Sequence, residues 1–262
     1  MPLIGGLKPQ TLTLTLTPHF TVVFKISRQI GQQNEYSILL ICAYAYVGTD
    51  AHGTMVSPAA RNSAWRFGFD TPANDEDNAL RCGGRYVQHI KNGGRCGVCG
   101  DPWNVVSPRP HERGGQFGRG IITASYTEGQ VIPVTLNIIP NHMGWFEFRL
   151  CNNSNQHARD SQECLNEHLL QFVNGTDTRY NLDASIKGLH TMYVQLPADL
   201  YCSHCVLQWT WVTGHSWGMC TNGRGKLGCG PQLTFVNCAD VRILPKGQVS
   251  FDSVNSEYGV SL

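Results

Sequence analysis

The sequence has little charge and no stretch able to cross a membrane. Charged residues make up 15% of the chain and the formal net charge is +1, so neither sign dominates and a nucleic-acid partner is not suggested. A transmembrane helix needs about 18 or more consecutive apolar residues, whereas the apolar run Tyr36 to Val47 has about a dozen. Long amphipathic helices are missing, as are internal repeats and a serine-rich linker. Nothing therefore points to a tethered second module. The C-terminal end offers no hydrophobic stretch for a lipid anchor. Methionine is scarce, and none lies between Met1 and His52.

The short apolar run is followed by Thr49 and Ala51, at −3 and −1 relative to His52, which is the small-residue pattern of a signal-peptidase site. Residues 1–51 are expected to be a signal peptide with an atypical N-terminal extension, and the mature chain to be secreted and extracellular, with no membrane attachment after signal removal. In the extension, Lys25 and Arg28 follow a Thr/Leu alternation from Thr11 to Thr17 where a short basic start would be usual. Removing 51 residues from 262 leaves 211, enough for one domain with its own core. That mature chain carries 17 Lys plus Arg and 17 Asp plus Glu.

Cleavage after Ala51 gives His52 a free α-amine beside its imidazole, so a single residue offers two nitrogens to one metal ion. An α-amine has a pKa of about 7.7–8.0, and a metal displaces its proton at little cost near neutral pH. A second histidine from the body of the fold completes a three-nitrogen site. Among the other mature histidines, His142 stands out because Pro140-Asn141-His142-Met143-Gly144 is a turn between two strong strand signals. His111, beside Glu112, is its main rival and reads more readily as a hydrogen-bonding structural group.

Eleven cysteines occur, and Cys42 leaves with the signal core. An even set of ten in a secreted chain argues for five disulfides. Cys151 with Cys164 and Cys220 with Cys229 are the expected local pairs, since short separations favour encounter. The Cys96-x-x-Cys99 and Cys202-x-x-Cys205 spacings suit zinc, but more than a hundred residues separate the two pairs, unlike a zinc ribbon.

From His52 to about Gly120 the chain is rich in Gly, Pro, Asn and Asp, and reads as long stapled loops with one short helix near 57–65. Strand signals then follow at 121–126, 131–139, 145–150, 191–196, 205–212 and 232–244. The expected fold is all-β, an immunoglobulin/fibronectin-III-like antiparallel β-sandwich with disulfide-stapled loops and short helices, over residues 52–245. Residues 246–262 read as a disordered tail. Asn152-Asn153-Ser154 and Asn174-Gly175-Thr176 are glycan acceptor triplets. Trp65, Trp209 and Trp211 fall in core-like segments, while Trp103 sits in a glycine-rich loop.

The chain from His52 to about Leu244 resembles the lytic polysaccharide monooxygenases of auxiliary activity family fifteen, an invertebrate group acting on chitin or cellulose. The resemblance is carried by the run from His52-Gly53-Thr54-Met55-Val56-Ser57-Pro58 to Trp65-Arg66, Cys82-Gly83-Gly84, Cys96-Gly97-Val98-Cys99-Gly100-Asp101, Ser107 to Glu112, Asn141-His142, Cys205 to Thr210 and Asn237-Cys238-Ala239-Asp240-Val241. It implies one copper ion in a histidine brace, held by the amine and one ring nitrogen of His52 and a third nitrogen from His142. Three neutral nitrogens suit Cu(II). It further implies an axial residue at Phe235, a position where many members carry tyrosine, and a secreted monomeric enzyme that oxidises glycosidic bonds of crystalline chitin or cellulose with an external electron donor and O2 or H2O2. The chain departs from the pattern at Pro140, where a small alanine is usual, and at Asp75, where an aromatic residue often stands and where Glu76 and Asp77 follow to make an acidic cluster. The alternatives are a non-catalytic chitin-binding protein of the same fold and a zinc-stabilised secreted structural module.

Overall fold

A computed structural model describes residues 11–17, 20–25, 52–155, 158–173 and 177–247. The chain divides into two units, Met1–Val47 and Gly48–Leu262. In the first, the Thr/Leu alternation forms strand β1 (Thr11–Thr17), paired antiparallel with β2 (Phe20–Lys25). The apolar run 36–47, the cleavage segment, Asn174 and most of the 246–262 tail lie outside the described residues.

The second unit is built on two sheets. One has the order β3 (Gly53–Ser57), β5 (Val131–Ile138), β9 (Gly188–Gln195), β7 (Gln171–Phe172). The other runs β4 (Ala124–Thr127), β13 (Thr234–Leu244), β10 (Cys202–Val212), β6 (Trp145–Asn152), β8 (Tyr180–Asn181). A hairpin, β11 (Trp217–Met219) with β12 (Gly225–Leu227), stands apart from both, and helix α1 spans Gln162–Glu167. Pairing is antiparallel except that β4 runs parallel to β13. The fold is the expected all-β sandwich with disulfide-stapled loops and short helices, and this one parallel pair is an addition to it.

The core follows from alternation. Ile132, Val134, Leu136 and Ile138 point one way from β5 and are fully buried, and they meet Phe146 and Phe148 of β6, Leu207, Trp209 and Trp211 of β10, and Phe235, Ala239 and Val241 of β13. Burying each large apolar side chain is worth about 1.5–3 kcal/mol. The alternate residues of β10 and β13 are buried too, because the glycine-rich loops cover the outer face of their sheet. Val206 and Cys238 pack against Cys99 and Val98 there, and Gln208 Nε2 donates to Val98 O at 2.7 Å.

Five disulfides hold this cover and the loops: Cys82–Cys96, Cys99–Cys238, Cys151–Cys164, Cys202–Cys205 and Cys220–Cys229. Both expected local pairs form. No cysteine of the ten is left for zinc.

The helix expected near 57–65 is displaced. Its first part is instead the end of β3, and a short 3-10 helix follows at Ala64–Phe67. Long-range polar contacts hold the intervening turns: Ser63 Oγ donates to Met55 O at 2.9 Å, and Asn62 Nδ2 to Asp77 O at 2.5 Å. The acidic run Asp75-Glu76-Asp77 also splits. Asp75 and Glu76 are exposed, whereas Asp77 is buried and paired with Arg66.

Candidate metal centre

His52 sits at the head of β3, an edge strand. The register Gly53↔Ile138 places it beside the end of β5, and His52 O accepts from Ile139 N at 2.9 Å. His142 lies three residues beyond Ile139, so backbone pairing brings the two predicted ligands to the same end of the sandwich. Met55 marks a register shift in β3, and its N–H donates to Asn237 Oδ1 of β13 at 2.9 Å. That side-chain bond ties the edge strand to the opposite sheet.

The loop carrying His142 is fixed from several sides. Asn141 Nδ2 donates to Asp183 O and Ile186 O at 2.7 and 2.8 Å, and Asn141 Oδ1 accepts from Met143 N at 2.6 Å. Met143 takes a left-handed conformation, φ 53°, which costs roughly 1–2 kcal/mol for a residue with a side chain. Its carbonyl is held by Trp211 Nε1 at 2.8 Å. Gly144 must be glycine: a Cβ there would lie 1.9 Å from Val212 O. His142 O accepts from Gly214 N at 2.9 Å, which joins this loop to the turn after β10.

Phe235 is fully buried on β13, opposite Trp211 of β10, and stacks on it with ring centroids 5.1 Å apart. Trp211 in turn packs on Gly53, where an added Cβ would come 3.0 Å from both Trp209 and Trp211. The ring of Phe235 supplies no oxygen. Its face toward this end of the sandwich is apolar.

His52 Nδ1 is buried with no protein hydrogen-bond partner. A buried polar atom left so costs about 1–3 kcal/mol. This orphaned nitrogen is what a metal ligand needs, and neutral ring nitrogens are a donor set suited to copper. Among the described residues, no group of three or more His, Cys, Asp or Glu side chains is arranged to hold a metal. A site with two histidine side chains and an amine contains only two such side chains.

His111 has a different role. It is buried, its Nδ1 bonds Asp101 Oδ1 at 2.8 Å, its backbone N–H donates to Asp101 Oδ2 at 2.9 Å, and its ring stacks on Phe117 at 4.6 Å. Glu112, its sequence neighbour, pairs with Arg109 at 2.5 Å instead. Burial works against the Glu112 carboxylate, but hydrogen bonds from Arg109 N, Ser107 Oγ and the Arg109 guanidinium hold its pKa below the usual value. Trp209 and Trp211 are core residues, as expected. Trp103 is partly exposed, and the guanidinium groups of Arg95 and Arg109 lie 5.0 and 4.7 Å from its ring.

Two residues that sequence reasoning did not single out border the same end. His215, in the turn after β10, meets the ring of His142 with centroids 3.8 Å apart. Burial pushes its imidazole pKa down, and the nearby Arg85 charge adds to this. Trp217, 61% exposed on β11, lies over Gly225, where a Cβ would fall 2.1 Å from its ring. The hairpin that presents it is stapled by Cys220–Cys229. Gln232 fastens its base, accepting from Ser216 N at 3.0 Å and donating to Ser216 O and Cys229 O at 3.0 and 2.7 Å. The available sequence signal was a tryptophan among turn residues, three positions ahead of the first cysteine of an expected local disulfide.

Residues 52–241 match the model of a family described as lytic polysaccharide mono-oxygenase, cellulose-degrading. Among solved structures, a lytic polysaccharide monooxygenase AA15 from Thermobia domestica in the Cu(I) state is 43% identical, with 73% of this chain and 98% of that chain covered and a TM-score of 0.72. A cellulose-active LPMO, CelS2, in complex with copper is 14% identical, covering 73% and 98% with a TM-score of 0.40. Fusolin spindles of Anomala cuprea entomopoxvirus are 13% identical, covering 80% and 100% with a TM-score of 0.41. A comparison with curated proteins found no match.

Proposed function

The chain belongs to the lytic polysaccharide monooxygenases of auxiliary activity family fifteen and is a copper-dependent polysaccharide monooxygenase, and from that premise we propose that it is a secreted, monomeric enzyme acting on crystalline chitin or cellulose. In this reading residues 1–51 are removed, His52 becomes the N-terminus, and one copper ion is held by the His52 amine, a His52 ring nitrogen and a His142 ring nitrogen. The observation that carries it is the meeting of the two histidine-bearing segments at one end of the sandwich, with His52 Nδ1 buried and unpartnered.

Bound copper supplies one-electron chemistry toward O2 or H2O2, with an external electron donor. The chain's own part is to position and shield. The strand pairing Gly53↔Ile138 and the Asn141 bonds fix where the two histidines stand. Phe235 and Trp211, buried and stacked at this end, would leave a bound copper ion an apolar neighbour without an oxygen donor. Ile139, Met143 and Trp217 expose apolar surface around the site. A sugar ring has an apolar C–H face, so a flat indole such as Trp217 suits a polymer surface better than a small-molecule pocket would. Asn152, exposed on the other flank, is the proposed glycan acceptor among the described residues.

The test compares a form beginning at His52 with one retaining residues 36–51, each given copper, a reductant and chitin or cellulose. While Ala51 is attached, the His52 nitrogen is an amide whose lone pair is delocalised into the carbonyl, and only two imidazole donors remain. The trimmed form should release oxidised oligosaccharides and the extended form very few. Equal release by the extended form, with mass spectrometry showing the extension in place, would rule out this copper site. Release from one polymer alone identifies the substrate.

A further inference from the structure

The contact between His142 and His215 has no role in the reading so far. Their ring centroids are 3.8 Å apart with planes inclined by 53°, and His215 Nδ1 is buried without a protein hydrogen-bond partner. The turn that carries His215 cannot easily withdraw. Gly214 N donates to His142 O at 2.9 Å, Thr213 N and Oγ1 both donate to Leu233 O, and Ser216 is bonded at both N and O by the Gln232 amide. The two loops also touch backbone to backbone: a Cβ on Gly214 would lie 3.0 Å from Gly144 N.

We propose that His215 is a positioning residue for the copper centre, its ring serving as a wall that fixes the rotation of the His142 imidazole and so the direction of its donor nitrogen. This rests on the reading of His142 as a copper ligand. The physical need is specific. The outer torsion of a histidine side chain is broad and roughly two-fold, so a ligand histidine must be oriented by something beyond its own rotamer. The ring contact meets that need from one side, and the locked turn makes it rigid.

The idea separates from simple packing through the metal's spectrum. Four forms beginning at His52 are compared: the parent, His215→Ala, His215→Phe and His142→Ala. Each is loaded with Cu(II), its affinity measured by chelator competition and its electron paramagnetic resonance spectrum recorded, with a thermal melt of the copper-free protein alongside. His215→Ala should still bind one copper per chain, about 2- to 10-fold more weakly, with altered copper hyperfine splitting. His215→Phe keeps a flat ring and should restore both. If the spectrum and affinity of His215→Ala match the parent's, the proposal is wrong. It is equally wrong if His215→Phe behaves like His215→Ala, since the nitrogen rather than the ring would then matter. His142→Ala should lose tight copper binding; if it binds like the parent, the ligand assignment itself fails, a result distinct from a silent His215.

Discussion

Replacing Gly53 with alanine probes whether the aromatic core sets the position of His52. The added Cβ would lie 3.0 Å from Trp209 Cη2 and from Trp211 Cε3 and Cζ3, where carbon atoms prefer about 3.5–4.0 Å. Roughly 0.5–1 Å must therefore be found. Neither indole can give way freely. Both are fully buried, they stack on each other at 6.3 Å, and Trp211 is held by Phe235 and by its bond to Met143 O. Overpacking of this kind costs about 1–3 kcal/mol, and in a domain of this size each kcal/mol lowers Tm by about 2–4 °C. The strain is relieved either by lifting β3, which moves His52, or by shifting Trp211, which loosens the His142 loop. Calorimetric melting of the copper-free form should show a drop of about 2–12 °C, and a copper titration should show weaker binding. If Gly53→Ala melts with the parent and takes up copper equally well, the core does not govern the site as argued.

Three further outcomes are expected. His111→Ala should lower Tm, because it removes the Asp101 bond and the Phe117 stack, yet leave copper stoichiometry and affinity unchanged in the same titration. Stability should fall in acid through Asp240: burial opposes its charge, but Arg61 and His204 hold its pKa at about 2, below its ordinary 3.8. A depressed carboxylate contributes stability above its unfolded pKa and loses it as pH falls toward 2. This contribution, on the order of 2 kcal/mol, should appear as a decline in denaturant midpoint between pH 4 and 2, and a flat midpoint there would contradict the Arg61–Asp240 pairing. Trp217→Ala should weaken adsorption to chitin or cellulose several-fold with Cu(II) spectrum and Tm nearly unchanged. An unchanged binding isotherm would remove Trp217 from the substrate face.

The strands of the sandwich were legible because period-2 alternation reports directly which face is buried, and β5, β10 and β13 lie close to where it placed them. Cysteine spacing likewise announced the two local staples. The turns after β3 were not legible. Their geometry comes from Asn62 and Ser63 reaching residues that local pattern cannot reveal, one of them Asn237, 175 positions away. The parallel pairing of β4 with β13 has no local signature either. For the proposed site, His142 was singled out by its turn, whereas His215 became relevant only through a backbone bond between two loops 72 residues apart in number. Nothing in its own sequence neighbourhood separates it from the other histidines.

The Gln232 amide closes the neck of the β11–β12 hairpin from below while Cys220–Cys229 closes it from above. Beyond these two fastenings the tip, Thr221 to Arg224, is exposed, and the hairpin pairs with neither sheet. The hairpin is thus built like a plug-in finger. Its tip can be lengthened, shortened or exchanged for that of a relative while the pairing of both sheets is left as it is, which makes residues 221–224 the natural place to vary this surface.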